Sequence, residues 1–395
     1  MCPDLDEVFD EVYPSKGEVK RFDQGMSAFR LMAREGRIME YNNEENRVKW
    51  IGSGTPGYSV VDYAFKDAAG MYDSLPWCTG HMNQGFYSWT PLGVGRKPES
   101  VPKWEGSPEK VAKIITKAGK FFGAVGVGFT KLDKRWVYSK SSDGREIVFE
   151  DVEEAYVTEE KYVIPESHTN VIAITVPMEL IENSYAPTIL EVTSNMGYSR
   201  MQITAGQVAE FIRGMGWNAI PCGNDTGLSV PIAIQAGLGH VGRHGRLITW
   251  EHGPMVRICK IFTDLPLPQS PLAPKGIIEY CEVCEKCAME CPSGSIPMGP
   301  RTYEGHNEAN NPGVLRWFCD GVKCLEYWNV VGSGCSICFR TCSFTKPRGL
   351  THGVVKWFIR NVPQLNKLWV WSDDFLEYGK MSDPSEYWDL PYRNR

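Results

Sequence analysis

The pattern of hydrophobic and polar positions is most regular between about residues 106 and 270. Short apolar runs predict buried strands, and helical spacing after capping residues such as Ser107 predicts helices between them. The strands are predicted at 121–129, 171–177, 218–221, 247–250 and 256–262, and the helices at 107–118, 199–215 and 230–236. Helices and strands that alternate in this way indicate an α/β core.

Two less regular segments flank and interrupt this core. Residues 1–105 are rich in Gly, Pro, Trp and Tyr and are predicted to form an N-terminal cap, with helical pieces at 25–34 and 58–72. Aromatic side chains of the cap are predicted to line an apolar pocket: Trp77, Phe86, Tyr87 and Trp89. Residues 130–166 are charged and are predicted to be a loop-rich insertion within the core, which spans 106–270.

Behind the core, residues 271–345 contain two runs of cysteines, and the aromatic, basic residues 346–395 are predicted to wrap around them. The first run has the spacing C-x2-C-x2-C-x3-C-P and consists of Cys281, Cys284, Cys287 and Cys291, followed by Pro292. The second run has a wider first gap and consists of Cys324, Cys335, Cys338 and Cys342. Bacterial ferredoxins use the first spacing to bind iron–sulfur clusters, so the segment is predicted to be an electron-transfer module.

The fourth cysteine of each run in two-cluster ferredoxins binds the other cluster. We therefore predict one [4Fe–4S] cluster on Cys281, Cys284, Cys287 and Cys342, and a second on Cys291, Cys324, Cys335 and Cys338. Ser343 stands where the pattern has a proline after the last cysteine, which departs from the ferredoxin spacing. Zinc sites and disulfide frameworks are the alternatives, but neither has this spacing.

Composition narrows the possible functions further. The chain has 395 residues, a formal net charge of −6 and a sequence pI near 5.8, so nucleic-acid binding has no electrostatic support. No apolar stretch reaches the roughly 18–20 residues of a membrane helix, and no signal peptide is visible at the start. Gly123, Gly126 and Gly128 do not form the G-x-G-x-x-G fingerprint of dinucleotide binding.

An α/β core followed by a two-cluster module resembles the corrinoid-dependent reductive dehalogenases of organohalide respiration. The resemblance covers about residues 106–345 and includes the ten-residue gap between Cys324 and Cys335. It also rests on three stretches: IPCGNDTGLSVP at 220–231, AGLGHVGR at 236–243 and FTDLPL at 262–267. It implies a corrinoid-binding, nitroreductase-like core with a C-terminal ferredoxin-like module that holds two [4Fe–4S] clusters.

The resemblance also implies the chemistry and the residues that perform it. A cobamide would take electrons from the two clusters, and the enzyme would replace a halogen of a small organohalide by hydrogen. By position in the motifs, Tyr198 would donate the proton, helped by Asn224 and Arg257. These residue types suit the task, because an arginine stabilises negative charge and an asparagine can donate a hydrogen bond to a phenol.

The corrinoid contacts implied by the resemblance lie in the glycine-rich stretch. Gly237, Gly239 and Gly242 would let the backbone approach the nucleotide tail of the cobamide, with His240 and Arg243 beside them. His240 was considered as a cobalt ligand, but none of the seven histidines has the D-x-H-x-x-G context of corrinoid mutases. A base-off cobamide without an axial protein ligand is therefore expected.

Three alternatives stay open at this stage. The substrate is expected to be a chlorinated alkane such as chloroform or trichloroethane, with chlorinated ethenes as the second possibility. An epoxyqueuosine reductase acting on tRNA would also pair a corrinoid core with two clusters, but it should show a basic face. An electron-transfer subunit without corrinoid would contain no cobalt.

By analogy with the family, the protein is expected on the outer face of the cytoplasmic membrane. It would reach that location through a twin-arginine leader, which this chain does not show, and would be held by a small membrane anchor protein. A membrane electron donor is expected as a further partner, and nucleic acid is not.

Overall fold

The computed structural model describes residues 5–37, 41, 43–74, 82–94, 97–347 and 349–391. Trp77, one of the aromatic residues assigned to the predicted pocket, lies outside these ranges. Among the residues described, no helix is both long enough and apolar enough to cross a lipid bilayer.

The N-terminal segment consists of short helices joined by irregular stretches. They are α1 (Leu5–Val12), α2 (Ala28–Arg34), α3 (Glu44–Gly52), α4 (Val60–Ala69) and α5 (Met71–Ser74), with 3-10 turns at Gln24–Met26 and Gly85–Tyr87. Their partners lie later in the chain: the Tyr58 hydroxyl donates to the carbonyls of Pro187 and Val331 at 3.0 and 2.7 Å. The helical structure predicted at 25–34 and at 58–72 is present. Each prediction corresponds to two short pieces, the first 3-10 turn with α2 and α4 with α5.

The core region contains α6 (Pro108–Phe121), β1 (Gly126–Lys131), β2 (Glu146–Glu150), β3 (Tyr156–Val157), β4 (Lys161–Pro165), β5 (Asn170–Pro177), α7 (Leu180–Asn183), α8 (Thr193–Gly214), β6 (Ala219–Cys222), α9 (Ser229–Gln235), β7 (His240–Val241), β8 (Leu247–Ile248) and β9 (Val256–Thr263). Its centre is a four-stranded antiparallel sheet in the order β1-β5-β9-β6. Helices α6 and α8 cover one face of the sheet and α9 covers the other. The mixed α/β fold class is confirmed, with antiparallel strands.

Three predicted elements differ from the observed ones. The strand predicted at 121–129 starts only at Gly126, because α6 continues to Phe121 and Gly123 then turns the chain at φ 106°. The strand predicted at 247–250 has two residues and forms a hairpin with β7. Helix α8 begins at Thr193 rather than at residue 199, so Tyr198 lies in its second turn.

The predicted loop-rich insertion at 130–166 is the largest difference. It contains a second sheet in the order β2-β4-β3, in which β2 and β4 are parallel. Buried apolar side chains hold this sheet on the core, including Ile147 and Ile164. The apolar runs of β2 and β4 are short and lie between charged residues, a pattern that does not distinguish a strand from a loop.

The cysteine-rich module contains short helices and long turns. It comprises α10 (Ile277–Val283), α11 (Lys286–Met289), α12 (Gly321–Val331) and α13 (Ile337–Arg340). Helices α11 and α13 each carry cysteines of one run and contact each other, which brings the two runs together. The C-terminal segment then forms α14 (Leu350–Asn361) and α15 (Asn366–Phe375), joined by a 3-10 turn, and both pack on α10.

Candidate active site

Three residues predicted from separate sequence motifs meet at one edge of the core. Tyr198 projects from α8, Asn224 follows the end of β6, and Arg257 lies near the start of β9. The Asn224 side-chain amide donates a hydrogen bond to the phenol oxygen of Tyr198 at 3.1 Å. The guanidinium carbon of Arg257 lies 4.6 Å from the centroid of the Tyr198 ring. The phenol therefore has a fixed orientation and a permanent positive charge beside it.

Gly197 allows Arg257 to come this close to α8. A Cβ atom at Gly197 would lie 2.7 Å from Cγ of Arg257, closer than carbon atoms can approach without displacement. The Nε atom of Arg257 is buried without a hydrogen-bond partner among the described groups. A buried donor in that state is expected to serve a ligand or a developing negative charge.

A buried lysine holds the loop that carries Asn224. Lys260 lies opposite Cys222 in the β6–β9 pairing, and its ammonium group donates to the carbonyl of Gly223 and to Oγ of Ser229, the latter at 2.9 Å. Asp225 accepts from the backbone N–H of Gly223 at 2.9 Å. Burial raises the pKa of Asp225 to about 6, although the charge of Lys260 acts in the opposite direction.

The aromatic residues of the cap pack behind this loop and behind α8. The ring of Tyr87 packs against Gly223, where a Cβ atom would come within 2.8 Å of it, and Phe86 packs against Gly206 of α8. Trp89 packs against Tyr162 with ring centroids 5.5 Å apart. Tyr87 and Trp89 are buried, so they support the site from behind and do not line an open pocket, which corrects the prediction for these two residues.

Glu191 connects Arg257 with the second cysteine run. Its buried carboxylate accepts from Ser194 Oγ at 3.1 Å and interacts with Ser336, which follows Cys335. Burial raises the pKa of Glu191 to about 7, and the positive charge of Arg257 opposes that rise. The second run thus lies beside the Tyr198 site.

The electrostatic interactions among the eight cysteines largely follow the two predicted groups, and the cluster that each cysteine binds stays a prediction. Burial raises the pKa of Cys281, Cys287 and Cys342, and thiols of the same group add to each rise, although Cys338 of the other group also raises the pKa of Cys287. Likewise, burial raises the pKa of Cys335 to about 12, with Cys324 and Cys291 adding to the effect. Burial raises the pKa of Cys338 as well, and the thiol of Cys324 adds to that rise.

This donor set fits iron–sulfur clusters. Four buried thiols that repel one another as thiolates need positive charge among them, which an iron–sulfur cube supplies. Within the described part of the chain, no three His, Cys, Asp or Glu side chains are close enough to share a single metal ion. Cys319, which belongs to neither run, lies near the second group and interacts electrostatically with Cys324 and Cys291.

The glycine-rich stretch makes its contacts within the protein. A Cβ atom at Gly237 would meet the carbonyl of Pro271 at 2.2 Å, and one at Gly239 would meet that of Ile248 at 2.1 Å. A Cβ atom at Gly242 would meet the side chain of Ile248 at 2.4 Å. These glycines are therefore required for close packing of the chain, and their corrinoid contacts stay a prediction.

The side chains of His240 and Arg243 have partners within the protein. The two ring nitrogens of His240 lie 3.0 Å from the Tyr13 hydroxyl and 3.0 Å from the Ala273 carbonyl. The fully buried guanidinium of Arg243 donates to carbonyls of the first cysteine run, including Cys281 at 2.8 Å and Cys284 at 3.2 Å. The corrinoid contacts of these two residues stay a prediction.

Other charged residues of the site were missed by sequence reasoning. Arg246, at the tip of the β7–β8 hairpin, interacts electrostatically with Cys324, Cys338 and the phenol of Tyr198. Lys260 could have been found as a lysine within an apolar strand, as Arg257 was. Glu191 and Arg246 stand in irregular segments, where no periodicity indicates which way a side chain points.

The fold matches that of solved reductive dehalogenases. No family model matches the chain. A solved reductive dehalogenase, reported with a mechanism for B12-dependent dehalogenation, superposes with a TM-score of 0.64 at 19% identity, over 93% of this chain and 48% of that one. At this identity the likeness shows the shared fold, and this chain spans about half the length of the solved one.

Curated relatives are more similar in sequence. The tetrachloroethene reductive dehalogenase of Sulfurospirillum multivorans is 34% identical over 406 residues, which cover 95% of this chain and 77% of that protein. The enzyme of the same name from Desulfitobacterium hafniense is 32% identical over 349 residues, covering 79% of this chain and 62% of that protein. The chain therefore belongs to the reductive dehalogenases, a family of oxidoreductases.

Proposed function

We propose that this protein replaces a halogen of a small chlorinated hydrocarbon by hydrogen with the help of a corrinoid and two [4Fe–4S] clusters. The observation that carries the proposal is the Tyr198 phenol, held by Asn224 and placed beside Arg257 next to the second cysteine run. A reduced corrinoid, when bound, supplies the electron-rich cobalt that such a reaction needs. The groups that would face it include Tyr198, Asn224 and Arg257.

The protein's own residues can supply the proton that the reaction consumes and stabilise the negative charge that it leaves on the donor. Replacing a halogen by hydrogen consumes a proton, and the Tyr198 hydroxyl, which accepts from Asn224 and lies beside Arg257, can donate it. When that proton leaves, Arg257 stabilises the phenolate and Asn224 keeps the oxygen in place. Both partners stabilise the charged form, so they favour proton donation at this position.

The order of the two clusters follows from their surroundings. The group of Cys291, Cys324, Cys335 and Cys338 lies next to Glu191 and Arg246, which interact with Arg257 and Tyr198. The group of Cys281, Cys284, Cys287 and Cys342 lies on the side of α14 and α15. Electrons would enter at the Cys281 group, beside α14 and α15, and pass on to the Cys291 group, which lies nearer Tyr198.

The corrinoid is expected to be base-off without an axial protein ligand. His240 was the one candidate ligand in the glycine-rich stretch, and both its ring nitrogens face other protein groups. The names of the relatives, tetrachloroethene reductive dehalogenases, favour chlorinated ethenes as substrates, whereas the sequence resemblance pointed first to chlorinated alkanes. Both classes are small and apolar.

A substrate panel tests the proposal. Chloride release is measured with the cobalt-loaded, reduced protein on chloroform, 1,1,1-trichloroethane, tetrachloroethene and trichloroethene. Turnover of one class supports the proposal and identifies the class, and a protein that contains cobalt and iron but releases no chloride from any of them would contradict it.

Location and partners are proposed on the family resemblance alone. We expect the protein on the outer face of the cytoplasmic membrane, held by a small membrane anchor protein and reduced by a membrane electron donor. Co-purification of the protein with the membrane fraction, weakened when the anchor protein is deleted, would support this expectation.

A further inference from the structure

The C-terminal hairpin of α14 and α15 exposes an apolar face that neither the fold nor the proposed reaction uses. On α14 the exposed side chains are Leu350, Val354 and Trp357, with 92%, 55% and 57% of their surface exposed. On α15 they are Leu368, Trp371 and Phe375, with 48%, 59% and 70% exposed. The spacings of i, i+4, i+7 and i, i+3, i+7 place each set on one helix face. Soluble proteins rarely expose so many large apolar side chains together.

The opposite faces of both helices are anchored in the protein. Ile359 of α14 and Asn366 of α15 are buried, and Lys356 donates to the carbonyl of Trp250 at 2.7 Å. On α15, the buried Asp373 pairs with Lys286, which precedes Cys287, and with Lys346, which follows Cys342 in the sequence. The hairpin is therefore a fixed part of the fold, and its outer face is presented rigidly.

The charge of this hairpin differs from that of the whole chain. Residues 350–375, which form the hairpin, contain three basic residues, Lys356, Arg360 and Lys367, and two acidic residues, in a chain with a net charge of −6. Both acidic residues, Asp373 and Asp374, pair with Lys286. Arg360 and Lys367 are exposed and flank the turn between the helices. Exposed tryptophans beside basic residues are typical of helices that lie in the interface of an anionic bilayer.

We propose that the outer face of α14 and α15 binds directly to the surface of an anionic lipid bilayer. The two helices would lie in the plane of the interface, with Trp357, Trp371 and Phe375 among the headgroups and Arg360 and Lys367 near lipid phosphates. A second copy of the chain fits the same face less well, because a symmetric pair would bring two basic surfaces together. Docking in this orientation would place the cysteine group that contains Cys281 towards the membrane. On the proposed electron path, that group is the one at which electrons enter.

Flotation with lipid vesicles tests the proposal without any turnover. The purified holoprotein is mixed with vesicles of phosphatidylcholine alone, or of phosphatidylcholine and phosphatidylglycerol in equal parts, and its partition is measured. We expect binding to the anionic vesicles. The double variant Trp357→Ser/Trp371→Ser should weaken that binding about tenfold or more. Arg360→Gln and Lys367→Gln should each weaken it about fivefold, and only on anionic vesicles.

Phe121→Ser is the matched control, because Phe121 is 85% exposed at the end of α6, away from the hairpin. It should bind vesicles as the unchanged protein does. The proposal is overturned if the protein does not bind anionic vesicles, or if the double variant binds them as well as the control. It is also overturned if sedimentation shows that the protein dimerises and that the double variant is monomeric, since the face would then belong to a second copy. Iron content and the circular dichroism spectrum show that each variant is folded.

Discussion

Arg257 lies over the ring of Tyr198, with its guanidinium carbon 4.6 Å from the ring centroid. The arginine side chain reaches that position by passing Gly197, which precedes Tyr198 on α8. The residue before the tyrosine thus decides whether the arginine can reach it. The relationship joins a helix motif and a strand motif that lie 60 residues apart in the sequence, and it yields a first prediction.

Gly197→Ala should displace Arg257 from Tyr198. The added Cβ would lie 2.7 Å from Cγ of Arg257, so the side chain must move, at a cost of about 1–3 kcal/mol in the free energy of unfolding. We expect a loss of dechlorination rate with cobalt and iron contents unchanged. Gly52→Ala is the control, because a Cβ at the end of α3 has open space around it. Equal activities of the two variants would mean that Arg257 does not need this passage.

The ion pairs beside the first cysteine group should matter for stability. Asp373→Asn removes the carboxylate shared by two buried lysines, Lys286 and Lys346, which would then lose their common partner. Unfolding in urea should show a loss of about 3–5 kcal/mol. Glu377→Gln is the control, because its pair with Lys380 is exposed and should contribute less than about 1 kcal/mol. Equal losses would show that the pairs of Asp373 are not effectively buried.

His168 should make the protein sensitive to acid. Burial lowers the pKa of this imidazole from 6.5 to about 4 in the folded protein. Between these two pH values the unfolded chain binds a proton that the folded protein does not, so stability falls as the pH falls from 6.5 towards 4. The loss from this residue should reach about 3 kcal/mol at the lower limit.

The measurement for His168 is the free energy of unfolding as a function of pH. In His168→Leu the dependence on pH between 6.5 and 4 should be shallower than in the unchanged protein. If both proteins lose stability equally over that range, His168 is not the group responsible.

The metal content should distinguish the enzyme from an electron-transfer subunit. Two [4Fe–4S] clusters and one corrinoid give about eight iron atoms per cobalt. Cys338→Ala should lose about half of the iron, since it belongs to one of the two groups. Elemental analysis that finds a full complement of iron but no cobalt after reconstitution with a cobamide would support the electron-transfer alternative.

Much of the site could be predicted from the sequence because its residues differ clearly in type or spacing from their neighbours. Arg257 is a charge within an apolar strand, and the cysteine runs have fixed spacings, so both could be recognised without coordinates. The meeting of Tyr198, Asn224 and Arg257 was implied by the family resemblance, and the structure brings the three together.

The close neighbours of the glycines could not be predicted, for a physical reason. A glycine such as Gly237 or Gly239 shows that something approaches closely, but it does not show what approaches. The sequence could not reveal that the close neighbours are carbonyls of Pro271 and Ile248. The partners of the Arg243 side chain could not be predicted either, because the carbonyls that surround it come from a turn about 40 residues later.

Chloride release by the Tyr198→Phe variant tests the central claim most directly. The substitution removes only the hydroxyl that accepts from Asn224, so cobalt and iron contents should equal those of the unchanged protein. On the substrate that the panel identifies, we expect the rate of chloride release to fall at least about a hundredfold. Tyr156→Phe, at an exposed tyrosine of the small sheet, should keep the full rate. A Tyr198→Phe protein that releases chloride at the same rate as this control would contradict the role of Tyr198 as proton donor.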